Sequence, residues 1–189
     1  MPNLYIIAGC NGAGKTTASY AILPEILKCK EFVNADSIAA ALSPFNHESV
    51  ALKAGRIMLQ HINHLMEEKV DFAFETTLAA KSYLGLIKKA KAINYEITLI
   101  YFWLSSPEIS RRRVAGRVKT GGHDIPSNII ERRYYRGLHN LINLYIPVCD
   151  NWMVIDNENL LRNFIAKGSK TYKQIINTDI WRRILEHSK

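Results

Sequence analysis

Residues 4–16, LYIIAGCNGAGKT, decide the fold. From Gly9 to Thr16 the spacing fits G-x-x-x-x-G-K-[ST], the pattern of a loop whose backbone N–H groups wrap phosphate oxygens. The context fits as well. Leu4 to Ala8 is an apolar run with the character of a buried strand, and Thr16 to Lys28 has the pattern of a helix. A glycine loop between a strand and a helix is much rarer than the pattern alone, which sets it apart from an ordinary glycine turn. Gly9, Asn11, Gly12, Ala13, Gly14, Lys15, Thr16 and Thr17 are therefore the expected nucleotide-binding residues. Backbone N–H groups and the helix N-terminus meet the phosphates. Lys15 reaches the β/γ-phosphates, and the Thr16 hydroxyl helps to hold Mg²⁺.

With 189 residues, 48% of them hydrophobic, the chain suits one domain spanning residues 1–189. No low-complexity run, internal repeat or linker divides it. The N-terminus lacks the marks of a secretory signal, and no apolar stretch reaches bilayer-spanning length. Cys10, Cys29 and Cys149 are scattered and odd in number, which speaks against a disulfide framework. A reducing cytoplasm without membrane attachment is the expected setting. The net charge of +8 is concentrated. Between Lys81 and Arg136 lie twelve Lys/Arg and four Asp/Glu, a difference of +8 that equals the charge of the whole chain. Such a positive field beside a phosphate loop matches a nucleotide triphosphate. About half of these side chains have the plainer reading of a solvated helical face.

Five β-rich runs, Leu4–Ala8, Glu31–Ala35, Phe72–Glu75, Ile97–Leu104 and Trp152–Ile155, alternate with helical patterns. The helices expected are Ser19–Leu27, Ser49–Met66, Ser82–Ile93, Pro107–Val118 and Asn128–Tyr145, the last stopped by Pro147. In Ser49–Met66 the core face is assigned to Val50, Leu52, Ile57, Leu59, Ile62, Leu65 and Met66. The alternation predicts an α/β fold of the P-loop NTPase or kinase type, a three-layer sandwich with a five-stranded parallel sheet and a helical lid.

Ligands of such sheets lie beyond the carboxyl ends of the strands. After the second strand comes Asp36. It either caps the next helix or accepts the proton of a hydroxyl attacking the γ-phosphate. After the third strand come Glu75, Thr76 and Thr77. A carboxylate there holds a Mg²⁺-bound water or a substrate hydroxyl, or is a plain ionic partner. Asp36, Glu75, Thr76 and Thr77 are thus the expected substrate contacts. Residues 111–136, RRRVAGRVKTGGHDIPSNIIERRYYR, read as a basic helix, a glycine-containing loop Thr120–Pro126 and a second basic helix. Arg113 and Arg117 share a helical face, and Arg132 or Arg133 with Arg136 form the set on the next helix. Closing this lid brings guanidinium groups to the transferring phosphoryl group. Arg117 and Arg133 join Lys15 and Asp36 as expected catalytic residues, with Arg113 at the nucleotide. Gly121 and Gly122 give the loop backbone freedom, and His123 is read as a loop-stabilising residue. Residues 167–189 are expected to form a basic helical tail docked on the domain.

The combination GCNGAGKT, FVNAD, FETTL, R-V-x-x-R-V-x-x-G-G-H-x-I-P with the following R-R-Y, and the late I-D-N resembles the zeta-toxin family of P-loop kinases, specifically its short relatives, over about residues 3–160. The resemblance implies ATP or GTP as phosphoryl donor and Mg²⁺ as cofactor. It implies Lys15 as phosphate ligand, Asp36 as catalytic base, Glu75 near the substrate and lid arginines at the phosphates. Characterised zeta toxins phosphorylate UDP-N-acetylglucosamine and are held inactive by a small helical antitoxin. The leading expectation is a kinase acting on a hydroxyl of a small molecule. Two other readings stay open: a polynucleotide or RNA-end kinase, for which no aromatic-interleaved RNA motif is present, and a nucleotide-dependent switch without transfer activity.

Overall fold

The computed structural model describes every residue except His123 and residues 160–162. Seven strands form one sheet: β1 (Asn3–Gly9), β2 (Glu31–Val33), β3 (Phe72–Thr76), β4 (Glu96–Trp103), β5 (Asn151–Asp156), β6 (Asn163–Ser169) and β7 (Lys173–Ile175). Their spatial order is β2-β3-β1-β4-β5-β6-β7. The first five in that order run parallel, whereas β6 and β7 are antiparallel additions. The expected five-stranded parallel sheet is therefore present and two strands wider than the sequence suggested.

The helices are α1 (Lys15–Glu25), α2 (Ala35–Leu42), α3 (His47–Glu68), α4 (Tyr83–Ala92), α5 (Pro107–Lys119), α6 (Ser127–Asn140) and α7 (Thr178–His187). No helix among the described residues is long and apolar enough to cross a membrane. Helices cover both sheet faces, so the central strands are apolar without alternation. Leu4 and Ile6 of β1, Phe72, Ala73 and Phe74 of β3, and Leu99 and Phe102 of β4 have no exposed surface. The core face of α3 is narrower than its sequence implied. Ala54, Met58, Ile62, Leu65 and Met66 are buried, a four-residue spacing, whereas Leu52 and Leu59 face solvent.

The tail departs most from expectation. Residues 163–175 form a β-hairpin on the edge of β5, and only Thr178–His187 is helical. Gly168 lies opposite Trp152, where an added Cβ would stand 2.7 Å from the indole. With that space kept free, Trp181 of α7 stacks on Trp152 at 5.8 Å between ring centroids. Ile184 is fully buried beside it, a burial worth about 1.5–3 kcal/mol. Docking of the tail was expected, but it rests on two added strands as well as a helix.

α6 does not simply run on to Tyr145. Leu141–Tyr145 continues it as a single π-type turn, followed by a 3₁₀ turn at Ile146–Val148. This widened end carries side chains back to the loop after β3. Asn140 Nδ2 donates to the Leu78 carbonyl at 2.8 Å, and the Tyr145 hydroxyl donates to the Ala80 carbonyl at 2.5 Å. Leu78, buried and at a left-handed φ of 61°, is held there; a non-glycine residue keeps that conformation only where its surroundings impose it.

Candidate functional site

The crossover from β1 goes to β2 on one side, and that from β3 goes to β4 on the other, so the chain changes direction beside β1. A crevice opens there, at the carboxyl ends of the strands. Gly9 closes β1 at φ 143°, and a Cβ on it would lie 2.3 Å from the Phe102 carbonyl oxygen of β4. Only glycine lets the loop leave the sheet at that point. The loop is fixed by its own turn, Ala13 N–H to Cys10 O at 3.2 Å. Across it, Asn157 Nδ2 donates to Ala13 O at 2.6 Å, and the buried Ser110 hydroxyl donates to Asn11 O. Asn157 follows β5 directly and belongs to the late I-D-N triplet, the one sequence signal that pointed to it.

Lys15 is 6% exposed, and its ammonium donates to Cys10 O at 3.0 Å and pairs with Glu75 Oε1 at 3.4 Å. The Thr16 hydroxyl donates to Glu75 Oε2 at 2.6 Å, and Asn34 Nδ2 donates to the same oxygen at 2.8 Å. Register explains the meeting: Glu75 sits opposite Ile7 on β3, two residues short of the glycine loop. The oxygen donors Thr16 and Glu75 beside a phosphate loop fit a hard divalent cation that draws its remaining ligands from phosphate and water. Among the described residues no cluster of three or more acidic, histidine or cysteine side chains offers an all-protein metal cage.

Asn34 was missed by the sequence reading, and it takes the cap that had been one reading of Asp36. β2 ends at Val33, not Ala35, and the Asn34 side chain accepts the Asp36 and Ser37 N–H groups at 2.8 and 3.4 Å. Asn34 is thus the α2 cap, and the carboxylate of Asp36 is not spent on capping. Asp36 lines three adjoining cavities. One, of about 310 Å³, is bordered by Asn11, Gly12, Gly14, Lys15, Thr16, Thr17, Glu75, Arg113 and Arg117. The second, of about 210 Å³, runs past Asn11, Lys15, Glu75, Thr76, Thr77, Tyr83 and Arg133. The third, of about 310 Å³, lies between α2, the start of α3 and the start of α6. Within this group Thr76 uses its hydroxyl to accept the Leu78 N–H at 3.0 Å, so its side chain holds the turn.

Three expected arginines reach the crevice in different ways. Arg113 donates to the carbonyls of Gly12 at 3.3 Å, Asn157 at 3.0 Å and Glu158 at 2.6 Å. It ties the glycine loop to the end of β5. Arg133 donates to Asn11 Oδ1 at 3.4 Å. Burial lowers its pKa, opposed by the charge of Asp36 and assisted by that of Arg132. Arg117 lines the cavity of the glycine loop from the last turn of α5. There the chain folds back, with Gly122 N–H to Arg117 O at 2.9 Å, and a Cβ on Gly122 would lie 2.4 Å from Arg117 Cγ. Gly122 therefore makes room for Arg117 rather than acting only as a flexible joint. His123 lies outside the described residues.

A glycine phosphate loop at the switch point of a parallel sheet, roofed by a basic helical pair, defines an α/β protein of the P-loop kinase fold class. The chain belongs to the zeta toxin family, whose model matches residues 1–160. An uncharacterized protein of Haemophilus influenzae is 29% identical over 126 residues, 67% of this chain and 88% of that one. Among solved structures, a chain of the AvrRxo1-ORF1:-ORF2 complex with ATP superposes with a TM-score of 0.78 at 17% identity, over 97% of this chain. The present chain spans only 63% of that protein's length. A chain of the PezAT chromosomal toxin–antitoxin system of Streptococcus pneumoniae superposes with a TM-score of 0.71 at 16% identity, over 100% of this chain and 84% of that one.

Proposed function

We propose that the protein is a kinase that transfers the γ-phosphoryl group of ATP or GTP to a hydroxyl of a small molecule. One observation carries the reading: Asp36 borders both the cavity of the glycine loop and the neighbouring cavity under α6. A donor phosphate held by Gly12–Thr17 and an acceptor entering beside α2 would meet at its carboxylate.

In the proposed step Asp36 takes the proton of the acceptor hydroxyl as its oxygen forms a bond to the γ-phosphorus. The bond from that phosphorus to the β–γ bridging oxygen breaks, and the nucleoside diphosphate leaves with that oxygen. Asp36 is exposed, so the proton passes on to solvent. Lys15 leaves its Cys10 and Glu75 partners to hold the β/γ-phosphates, and Arg133 and Arg117 meet the charge that builds on the transferring group. Thr16 and Glu75 would hold Mg²⁺, which neutralises charge on the β- and γ-oxygens when bound. Arg113, committed to three carbonyls, keeps the loop in place. A small antitoxin protein is part of the proposal, supported by the PezAT likeness. A nucleotide sugar such as UDP-N-acetylglucosamine is one acceptor to test.

Mass spectrometry of a metabolite pool incubated with protein, ATP or GTP and Mg²⁺ is expected to reveal a phosphorylated product that disappears with Asp36→Asn. Nucleotide hydrolysis alone, unchanged by Asp36→Asn, would instead mean a nucleotide switch.

A further inference from the structure

Four residues border both the cavity of the glycine loop and the smaller cavity beside it: Asn11, Lys15, Asp36 and Glu75. A phosphoryl group leaving a nucleotide in the first cavity crosses the boundary that they form. Asp36 and Glu75 carry charge of its own sign, and Lys15 attracts it. The side chain of Asn11 is the fourth part of that boundary and so far has no task toward a ligand.

Asn11 is 6% exposed and is held at two points. The Ser110 hydroxyl donates to its carbonyl, and Arg133 donates to its Oδ1 at 3.4 Å. A guanidinium has no acceptor, so the amide atom facing it is the oxygen, and Nδ2 points elsewhere. That Nδ2 makes no hydrogen bond among the described residues. A donor kept in a nearly closed place without a partner costs stability. Proteins carry such a cost at functional sites, where a ligand supplies the missing acceptor.

We infer that Asn11 is a further catalytic residue: its Nδ2 N–H donates to a non-bridging oxygen of the phosphoryl group in transit, and Arg133 sets the orientation of the amide. The inference rests on the kinase reading. No proton leaves Asn11. While the acceptor oxygen bonds to the γ-phosphorus and the bond to the bridging oxygen breaks, the amide meets the charge on the group that moves. Arg133 has further donors for the same group.

The test needs no identified acceptor. A nucleoside diphosphate with Mg²⁺ and aluminium fluoride places a planar fluoride where the moving group would be. Its affinity for the full chain is compared by calorimetry with those of the diphosphate alone and of a non-hydrolysable triphosphate analogue, for wild type, Asn11→Ala and Asn11→Asp. Wild type should gain affinity from the fluoride. Asn11→Ala is expected to weaken the fluoride complex by about 10²–10³ and the triphosphate analogue by less than about tenfold. Asn11→Asp keeps the shape and an oxygen for Arg133 but removes the N–H, so it should lose at least as much. An Asn11→Asp variant that keeps the fluoride gain would make Asn11 a mere anchor for Arg133. Equal losses for fluoride complex and triphosphate analogue would make it an ordinary nucleotide contact. Either result, or an unchanged fluoride complex in both variants, overturns the inference and leaves the kinase reading standing. A wild type that binds nucleotide but gains nothing from fluoride overturns both.

Discussion

The phosphate loop, Gly9–Lys15, and the turn joining α5 to α6 border one crevice under opposite constraints. In the loop Asn11 and Lys15 are each only 6% exposed, and carbonyls of Asn11, Gly12 and Ala13 are gripped by side chains from α5 and from the end of β5. Its shape is set before any ligand arrives. The lid turn is exposed from Arg117 to Gly121. Val114 of α5, Ile130 of α6 and Ile125 of the turn itself form a small apolar cluster apart from the main core. A surface of that kind can shift without opening the sheet. Under the proposed mechanism the first region binds and the second closes, so substitutions in each should fail differently.

The largest effect is expected from Lys15→Ala. Nucleotide binding by calorimetry and turnover should both disappear while the variant still melts cooperatively, at a lowered temperature because Cys10 O and Glu75 lose the ammonium that they hold in the free protein. Retained binding would dissolve the distinction between the two regions. Asp36→Asn keeps shape but removes the proton acceptor, so nucleotide affinity should persist and transfer fall by about 10²–10⁴. Unchanged turnover would return Asp36 to a passive place in the first turn of α2.

Arg133→Ala and Arg117→Ala probe the closing region. If each meets the phosphoryl group only when the lid is shut, kcat should fall by about 10²–10³ for at least one of them, with nucleotide Kd far less affected. Kinetics at low and high salt decide this. A salt-screened loss of affinity with kcat intact would make them general polyanion contacts. Asn34→Ala should act on both stability and site. Losing the α2 cap costs about 0.5–2 kcal/mol, read as a lower melting temperature, and Glu75 loses its 2.8 Å partner. The smallest expected effect concerns the thiols. Cys10, Cys29 and Cys149 are free and buried. Burial pushes all three thiols up, Cys29 to about 11 and Cys149 to about 12. Below those values they stay protonated, so alkylation near neutral pH should be slow and should quicken only as the protein unfolds. Rapid modification of Cys10 in the folded protein would mean that the glycine loop opens more than its contacts imply.

The sequence by itself determined the phosphate loop, the parallel strands and the acids at their ends. Each depends on local spacing: glycines where the backbone needs them, apolar runs where both faces are covered, and carboxylates one step past a strand. It did not determine which neighbour takes which task. Whether Asp36 or Asn34 caps α2 turns on a two-residue difference in where β2 ends. The division of Arg113, Arg117, Arg132 and Arg133 among carbonyls, crevice and cavity depends on which element each side chain faces. The tail hid its strands for the same reason. Asn163–Ser169 has little periodicity of its own and becomes a strand because β5 offers an unpaired edge. Gly168 clears space for Trp152 and so for Trp181. Backbone hydrogen bonds to a neighbouring strand and the packing of one indole on another are long-range facts, and only the tertiary structure brings those partners together.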